Sequence, residues 1–162
     1  MTESDLYDAT ADLITTGTSA QQSTALTDLA AADGWYITLS HAGEKVLSTS
    51  LTYNGTIYFT TYEPKANTVS CVPSAGTSRL YALNILNATA IDTNRYTELK
   101  NIGLPPDPVH IRVIGDPITD PNNPNGGSSS SNSATSDVLC VGTICSKIGS
   151  GSSIIKTYWY NQ

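Results

Sequence analysis

Three cysteines, two histidines and one cluster of oxygen-bearing side chains offer this chain its most obvious chemistry. Cys140 and Cys145 bracket Val141-Gly142-Thr143-Ile144, a spacing that a short turn closes into a disulfide. The alternative is two thiols on adjacent strand positions; export would favour the bond. Cys71 is then the odd one, either free or paired elsewhere in a longer chain. A three-cysteine metal site is disfavoured, because no His lies near these residues in sequence and no CxxC occurs. His41 falls in a turn after Leu39-Ser40, and His110 is expected to alternate outward on a strand. Both read as exposed or satisfied histidines, and no G-x-S-x-G elbow supplies them with a nucleophile. Asp116, Asp120, Asn122, Asn123 and Asn125 cluster, but interleaved prolines and the lack of a bidentate Glu favour a linker over a calcium loop. Gly149-Ser150-Gly151 is a turn, since no phosphate-cradling pattern surrounds it. No catalytic, cofactor-binding or metal residue is therefore assigned.

The elements that would position these residues are mainly β. Asn54-Gly55 lies between two alternating runs, and both residues tolerate the positive φ of a type I′ hairpin turn. A two-residue turn sets Tyr53 opposite Thr56, Leu51 opposite Tyr58, Thr49 opposite Thr60 and Leu47 opposite Tyr62. Leu47, Leu51, Tyr53, Tyr58 and Tyr62 then share one face, and Val46, Ile57 and Phe59 the other, so both faces need cover. Strands are expected at 35–40, 45–53, 56–63, 78–84 and 109–114, with a strand pair at 137–148 and 153–160. Asn87-Ala88-Thr89 takes the place of a turn, and Gly103-Leu104-Pro105-Pro106-Asp107-Pro108 forces an extended lead into the next strand.

Ahead of the strands, residues 4–16 read as a short helix with Ser4 as cap and Gly17 as stop. A second helix is expected from Ala20 to Ala32, with capping-box spacing at Thr18 and Gln21 or at Ser19 and Gln22. Leu26, Leu29 and Ala30 form its narrow apolar stripe. The expected organisation is a helical lead-in over 1–34 and a β region over 35–162, with a disordered loop near 115–136.

Composition limits the partners. Of 162 residues only 14% are charged, and 8 Lys and Arg against 14 Asp and Glu leave a net charge of −6. The basic residues are scattered, which argues against nucleic acid. No run approaches the roughly 18 apolar residues of a membrane span. Met1-Thr2-Glu3-Ser4-Asp5 is acidic where an export signal begins basic. Trp35, Tyr36, Tyr53, Tyr58, Tyr62, Tyr158, Trp159 and Tyr160 either fill space between sheets or form a sticky face; packing is the preferred reading.

The phrase G-E-x-V-x-S…N-G-T-I-Y-F-T-T…S-x-L-Y-A-L, running from Gly43 to Leu83, resembles the C-terminal β-propeller of type IV pilus tip-associated adhesins and assembly factors, the PilC/PilY group. Asp33-Gly34-Trp35-Tyr36-Ile37-Thr38-Leu39 is similar to that family's lead-in, and Leu6-Tyr7-Asp8-Ala9-Thr10 with the Ala-rich run at 25–32 to its helical insertion. The likeness extends over roughly residues 4–86 and returns at Lys156-Thr157-Tyr158-Trp159-Tyr160.

The resemblance implies antiparallel blades of a partial β-propeller, exported to the cell surface or pilus tip. It implies contact with pilus subunits, other tip proteins, or host and abiotic surfaces, in support of pilus biogenesis and twitching motility. It also implies a calcium loop elsewhere in a longer parent and no enzymatic role. Residues 43–86 and 103–160 would make about two blades, where a propeller needs roughly four to eight, so a C-terminal piece is expected. Two alternatives remain. One is a piece of a pyrroloquinoline-quinone dehydrogenase propeller, whose repeat the G-T-I-Y-F…L-Y-A-L phrase also resembles. The other is a purely structural module.

Overall fold

The computed structural model describes residues 2–65, 76–100, 103–114 and 135–148. A 3₁₀ turn at Glu3–Asp5 leads into β1 (Tyr7–Asp8), helix α1 (Leu13–Thr16), helix α2 (Ser19–Ala31) and β2 (Trp35–Tyr36). Then follow β3 (Lys45–Val46), β4 (Leu51–Tyr53), β5 (Thr56–Glu63), β6 (Thr77–Asn84) and β7 (Tyr96–Leu99). Strands β8 (Pro108–Ile114), β9 (Thr135–Val141) and β10 (Ile144–Lys147) complete the described part. The protein is mainly β and, apart from the parallel β1–β2 pair, its strands run antiparallel.

Asn54 (φ 48°) and Gly55 (φ 75°) turn the chain between β4 and β5. Tyr53 pairs with Thr56 and Leu51 with Tyr58, as the two-residue turn dictates. Farther out the expected register is wrong by two residues. Lys45, not Leu47, faces Tyr62, and Val46 faces Thr61. Leu47 N still donates to Thr60 O at 3.3 Å, but beyond it residues 48–50 leave the regular pairing because side-chain acceptors replace ladder carbonyls. Ser48 Oγ accepts from Thr60 N at 2.8 Å, and Asp107 Oδ1 accepts from Thr49 N at 2.9 Å. The excursion keeps the face parity, so Val46 still lies with Ile57 and Phe59.

The five-stranded sheet runs β3/β4–β5–β6–β7, a meander in chain order. β7 is a strand that sequence reading leaves out. The second sheet has the order β10–β9–β8. Here the expected strand at 137–148 is a hairpin in itself, turned at Gly142 (φ 59°) and Thr143. Thr135 and Ser136, placed by the sequence in the loop near 115–136, belong to β9. The strand expected at 153–160 and the segment 115–134 lie outside the described residues.

The two sheets meet where β4 and β5 pack against β8, and Tyr58 of the first sheet and Leu139 and Val141 of the second are each no more than 6% exposed. Thr60 Oγ1 donates to Pro106 O at 3.2 Å, and Ser78 Oγ donates to Gly103 O. On the opposite face of the first sheet Phe59 stacks on Tyr81 at 4.9 Å, and the segment before β3 lies over that side. Trp35 Nε1 ties it down by donating to Ile85 O at 2.8 Å. Both faces are covered, as their apolar content requires.

The lead-in departs most from expectation. Residues 4–16 are not one helix. Tyr7 and Asp8 pair with Trp35 and Tyr36, and Asp8 Oδ1 accepts from Thr10 N in a local turn that competes with helix. Only Leu13–Thr16 is α-helical. Helix α2 carries the Thr18–Gln21 capping box: Thr18 N donates to Gln21 Oε1 at 2.9 Å and Gln21 N to Thr18 Oγ1 at 3.4 Å, a motif worth about 1 kcal/mol. Its buried residue is Ala25, whereas Leu26 is 50% exposed and Ala30 lies outward, so the expected stripe is displaced. No helix among the described residues is long and apolar enough to cross a membrane.

Candidate functional site: a polar cleft beside a buried charge cluster

A cleft of about 700 Å³ opens between the lead-in and the first sheet. Thr10, Asp12, Ile37 and Leu39 line it from the lead-in, and Tyr96 and Glu98 of β7 line it from the sheet. The loop 90–95 closes one end.

Asp12 stands at φ 52°, in the left-handed region that Asp enters more readily than most residues. Its backbone carbonyl starts α1, accepting from Thr15 N and Thr16 N, while its carboxylate makes no capping bond. That carboxylate turns instead to Arg95, Oδ1 to Nη2 at 3.2 Å. Arg95 Nη1 donates to Thr10 O at 3.0 Å. The angles still leave Asp12 Oδ1 and Arg95 Nε, both shut off from water, without a hydrogen bond.

Behind the cleft lies a cluster built on alternate residues of β5, β6 and β7. Thr61, Arg79 and Glu98 are cross-strand neighbours on one face, as are Phe59, Tyr81 and Tyr96. Glu44 drops onto them from the turn before β3. Its carboxylate is fully buried and accepts from Thr61 Oγ1 at 2.5 Å and Tyr81 OH at 3.3 Å. His41 Nδ1 lies 2.9 Å away and Arg79 Nη1 3.5 Å. Arg79 reaches Glu63 with Nη2 at 2.7 Å and Glu98 at 3.6 Å. Its guanidinium also stands 5.4 Å from the Tyr96 ring centre.

Burial alone would raise the Glu44 carboxyl pKa. Hydrogen bonds from Thr61 and His41, with the Arg79 charge, outweigh it and hold the group below its ordinary value. Burial, then the Glu44 charge, raises the Tyr81 phenol. Burial would lower Arg79, but the Glu63 hydrogen bond and the Glu44 and Glu63 charges carry it upward. Glu44 and Arg79 therefore stay ionised at neutral pH, and the Tyr81 phenol stays protonated.

A second polar group joins the two sheets. Tyr53 OH donates to Asp137 Oδ2 at 2.6 Å, and His110 Nε2 lies 3.2 Å from Asp137 Oδ1. The Tyr53 and His110 rings stack at 3.9 Å. His110 thus points between the sheets, not outward as expected. Val109 and Ile111, 52% and 44% exposed, are the outward residues of β8. The Tyr53 hydrogen bond holds the Asp137 carboxyl below its ordinary value, and the same bond raises the Tyr53 phenol.

Cys140 and Cys145 face each other across the β9–β10 hairpin and are joined, Sγ to Sγ at 2.07 Å. Cys71 and the Asp116–Asn125 cluster lie outside the described residues. Among the described residues no three His, Cys, Asp or Glu side chains converge on a metal position. Among the described residues the aromatic side chains do not form one outer face: Tyr58 is buried, Tyr53 is stacked, Tyr62 OH accepts from Gly76 N at 3.1 Å and Trp35 is hydrogen-bonded. Tyr158, Trp159 and Tyr160 lie outside the described residues.

Sequence reading missed Asp12, Arg95, Glu44 and Arg79. Arg79 alone left a signal: it breaks the apolar rhythm of its strand at a position parallel to Tyr81. Compared with protein-family models, with curated proteins and with solved structures, the chain matches none.

Proposed function

We propose that this chain is a piece of a type IV pilus tip-associated adhesin and assembly factor of the PilC/PilY kind. In this reading the five-stranded meander is one blade of a larger propeller. The exported parent sits at the pilus tip or cell surface. It contacts pilus subunits, other tip proteins or host and abiotic surfaces, and so supports pilus extension and twitching motility. The module binds and does not catalyse, and calcium is held elsewhere in the parent.

The observation that carries the reading is the Gly43–Leu83 phrase, which resembles that family and here spans β3 to β6. The meander agrees with it, because a blade is a few antiparallel strands in chain order with both faces packed. The buried cluster agrees too, since Glu44 and Arg79 pair with each other away from solvent.

The test is binding of the purified chain to purified type IV pili on a sensor surface. Saturable binding that a denatured control lacks is the expected result. The competing quinoprotein reading predicts a higher melting temperature with added pyrroloquinoline quinone, because ligand stabilises by mass action. That shift, together with no pilus binding, would replace the adhesin with the enzyme.

A further inference from the structure

We propose that the Cys140–Cys145 bond is a thiol-exchange site, at which the Cys145 sulfur accepts a low-molecular-weight thiol as a mixed disulfide. The place of the bond in the fold, more than its presence, points there.

A disulfide stabilises most when it ties distant segments, because a longer closed loop restricts the unfolded chain more. This one joins residues at a sequence separation of 5, inside a hairpin that backbone pairing already closes from Val141 and Ile144 to Val138 and Lys147. Ile148 N extends the pairing by donating to Asp137 O at 3.0 Å. Opening the bond therefore leaves the hairpin its ladder.

The two sulfurs are unequal. Cys140 is 7% exposed, whereas Cys145 is open to solvent, like the rest of β10. A thiolate attacks a disulfide sulfur in line with the bond that breaks, so access along that line selects the sulfur. The bond runs across the strands from β9 to β10, and β10 is an edge of its sheet. The line to Cys145 comes from beyond that edge, where, among the described residues, no strand pairs with β10. The line to Cys140 comes over β8, where Val109 stands opposite it.

The step balances. The incoming thiolate sulfur bonds to Cys145 Sγ, the Sγ–Sγ bond breaks, and its electron pair leaves on Cys140, which takes a proton from water. One disulfide and one thiol give another disulfide and another thiol, with no net oxidation. Attack by Cys140 on the mixed disulfide reverses the step.

This goes beyond the adhesin reading and does not depend on it. The test incubates the folded full chain with millimolar glutathione at neutral pH, traps released thiols with N-ethylmaleimide and maps both groups by mass spectrometry. Glutathione is expected on Cys145 and maleimide on Cys140. The rate should lie within about tenfold of that for the chain unfolded in urea, since access limits exchange. Amide signals of β9 and β10 should keep their native dispersion in the product. Exchange seen only in urea overturns the proposal. So does glutathione on Cys140 instead of Cys145, or collapse of the β9–β10 signals once the bond opens.

Discussion

Glu44 and Arg79 meet in the interior with side chains no more than 4% exposed, Oε1 to Nη1 at 3.5 Å, one from a turn and the other from the middle of a strand. Arg79 divides its charge among Glu44, Glu63 and Glu98, while Glu44 gathers Thr61, Tyr81 and His41. The pair anchors the segment before β3 to the sheet.

Removing one partner should therefore be costly. Glu44→Gln is expected to lower stability at neutral pH by about 3 kcal/mol, the scale for breaking a buried ion pair. The Glu44 carboxyl titrates below its ordinary 4.5 in the fold. Its contribution is complete above that ordinary value and is lost as pH falls through the depressed folded one. Melting temperatures of wild type and Glu44→Gln should converge as pH falls from neutrality into the acid range. Parallel curves would mean that Glu44 contributes no charge-linked stability.

Tyr53 and Asp137 join the first sheet to the second. The Tyr53 phenol is raised, mainly by its hydrogen bond to Asp137. Asp137→Asn should let that phenol ionise at lower pH, visible by ultraviolet absorbance once the Tyr53→Phe trace is subtracted. Tyr53→Phe should also lower the melting temperature by a few degrees. An unchanged titration would show that the two sheets do not meet through this bond in solution.

The Cys140–Cys145 bond closes a short loop of sequence separation 5. Loop-closure entropy gives it about 2 kcal/mol. Cys140→Ser with Cys145→Ser should cost about that much in urea unfolding. Alkylation of the unreduced chain should leave both residues unlabelled, and labelling of either would refute the bond.

The Asn54-Gly55 turn holds positive φ at both positions. Proline cannot reach that φ, and valine reaches it only with strain. Asn54→Pro with Gly55→Val should cost more than about 3 kcal/mol, since both changes oppose the native backbone. A double variant that melts like wild type would contradict the β4–β5 register.

Strands β5 and β6 were legible because long alternating runs flank a turn whose two residues accept positive φ. The Thr18–Gln21 cap was legible because its reciprocal bonds span only three residues. β7 was not, since four residues, Tyr96–Leu99, carry too little alternation to stand out. Residues 4–16 misled for a related reason. Their apolar spacing suits a helix, but Tyr7 and Asp8 find strand partners at Trp35 and Tyr36, far along the chain. The inward turn of His110 follows from which face of β8 meets Tyr53, and alternation alone does not choose between faces.

Local signals in the sequence were enough to determine a mainly antiparallel protein, its central hairpin, the second helix and a sheet needing cover on both sides. Tertiary structure alone decided what covers each face, that Glu44 lands on Arg79, and that Asp12 meets Arg95 across 82 intervening positions. Backbone preference and side-chain periodicity act over a few residues and can be read along the chain. Charge pairing and cleft shape depend on which distant surfaces meet, and only the folded chain settles that.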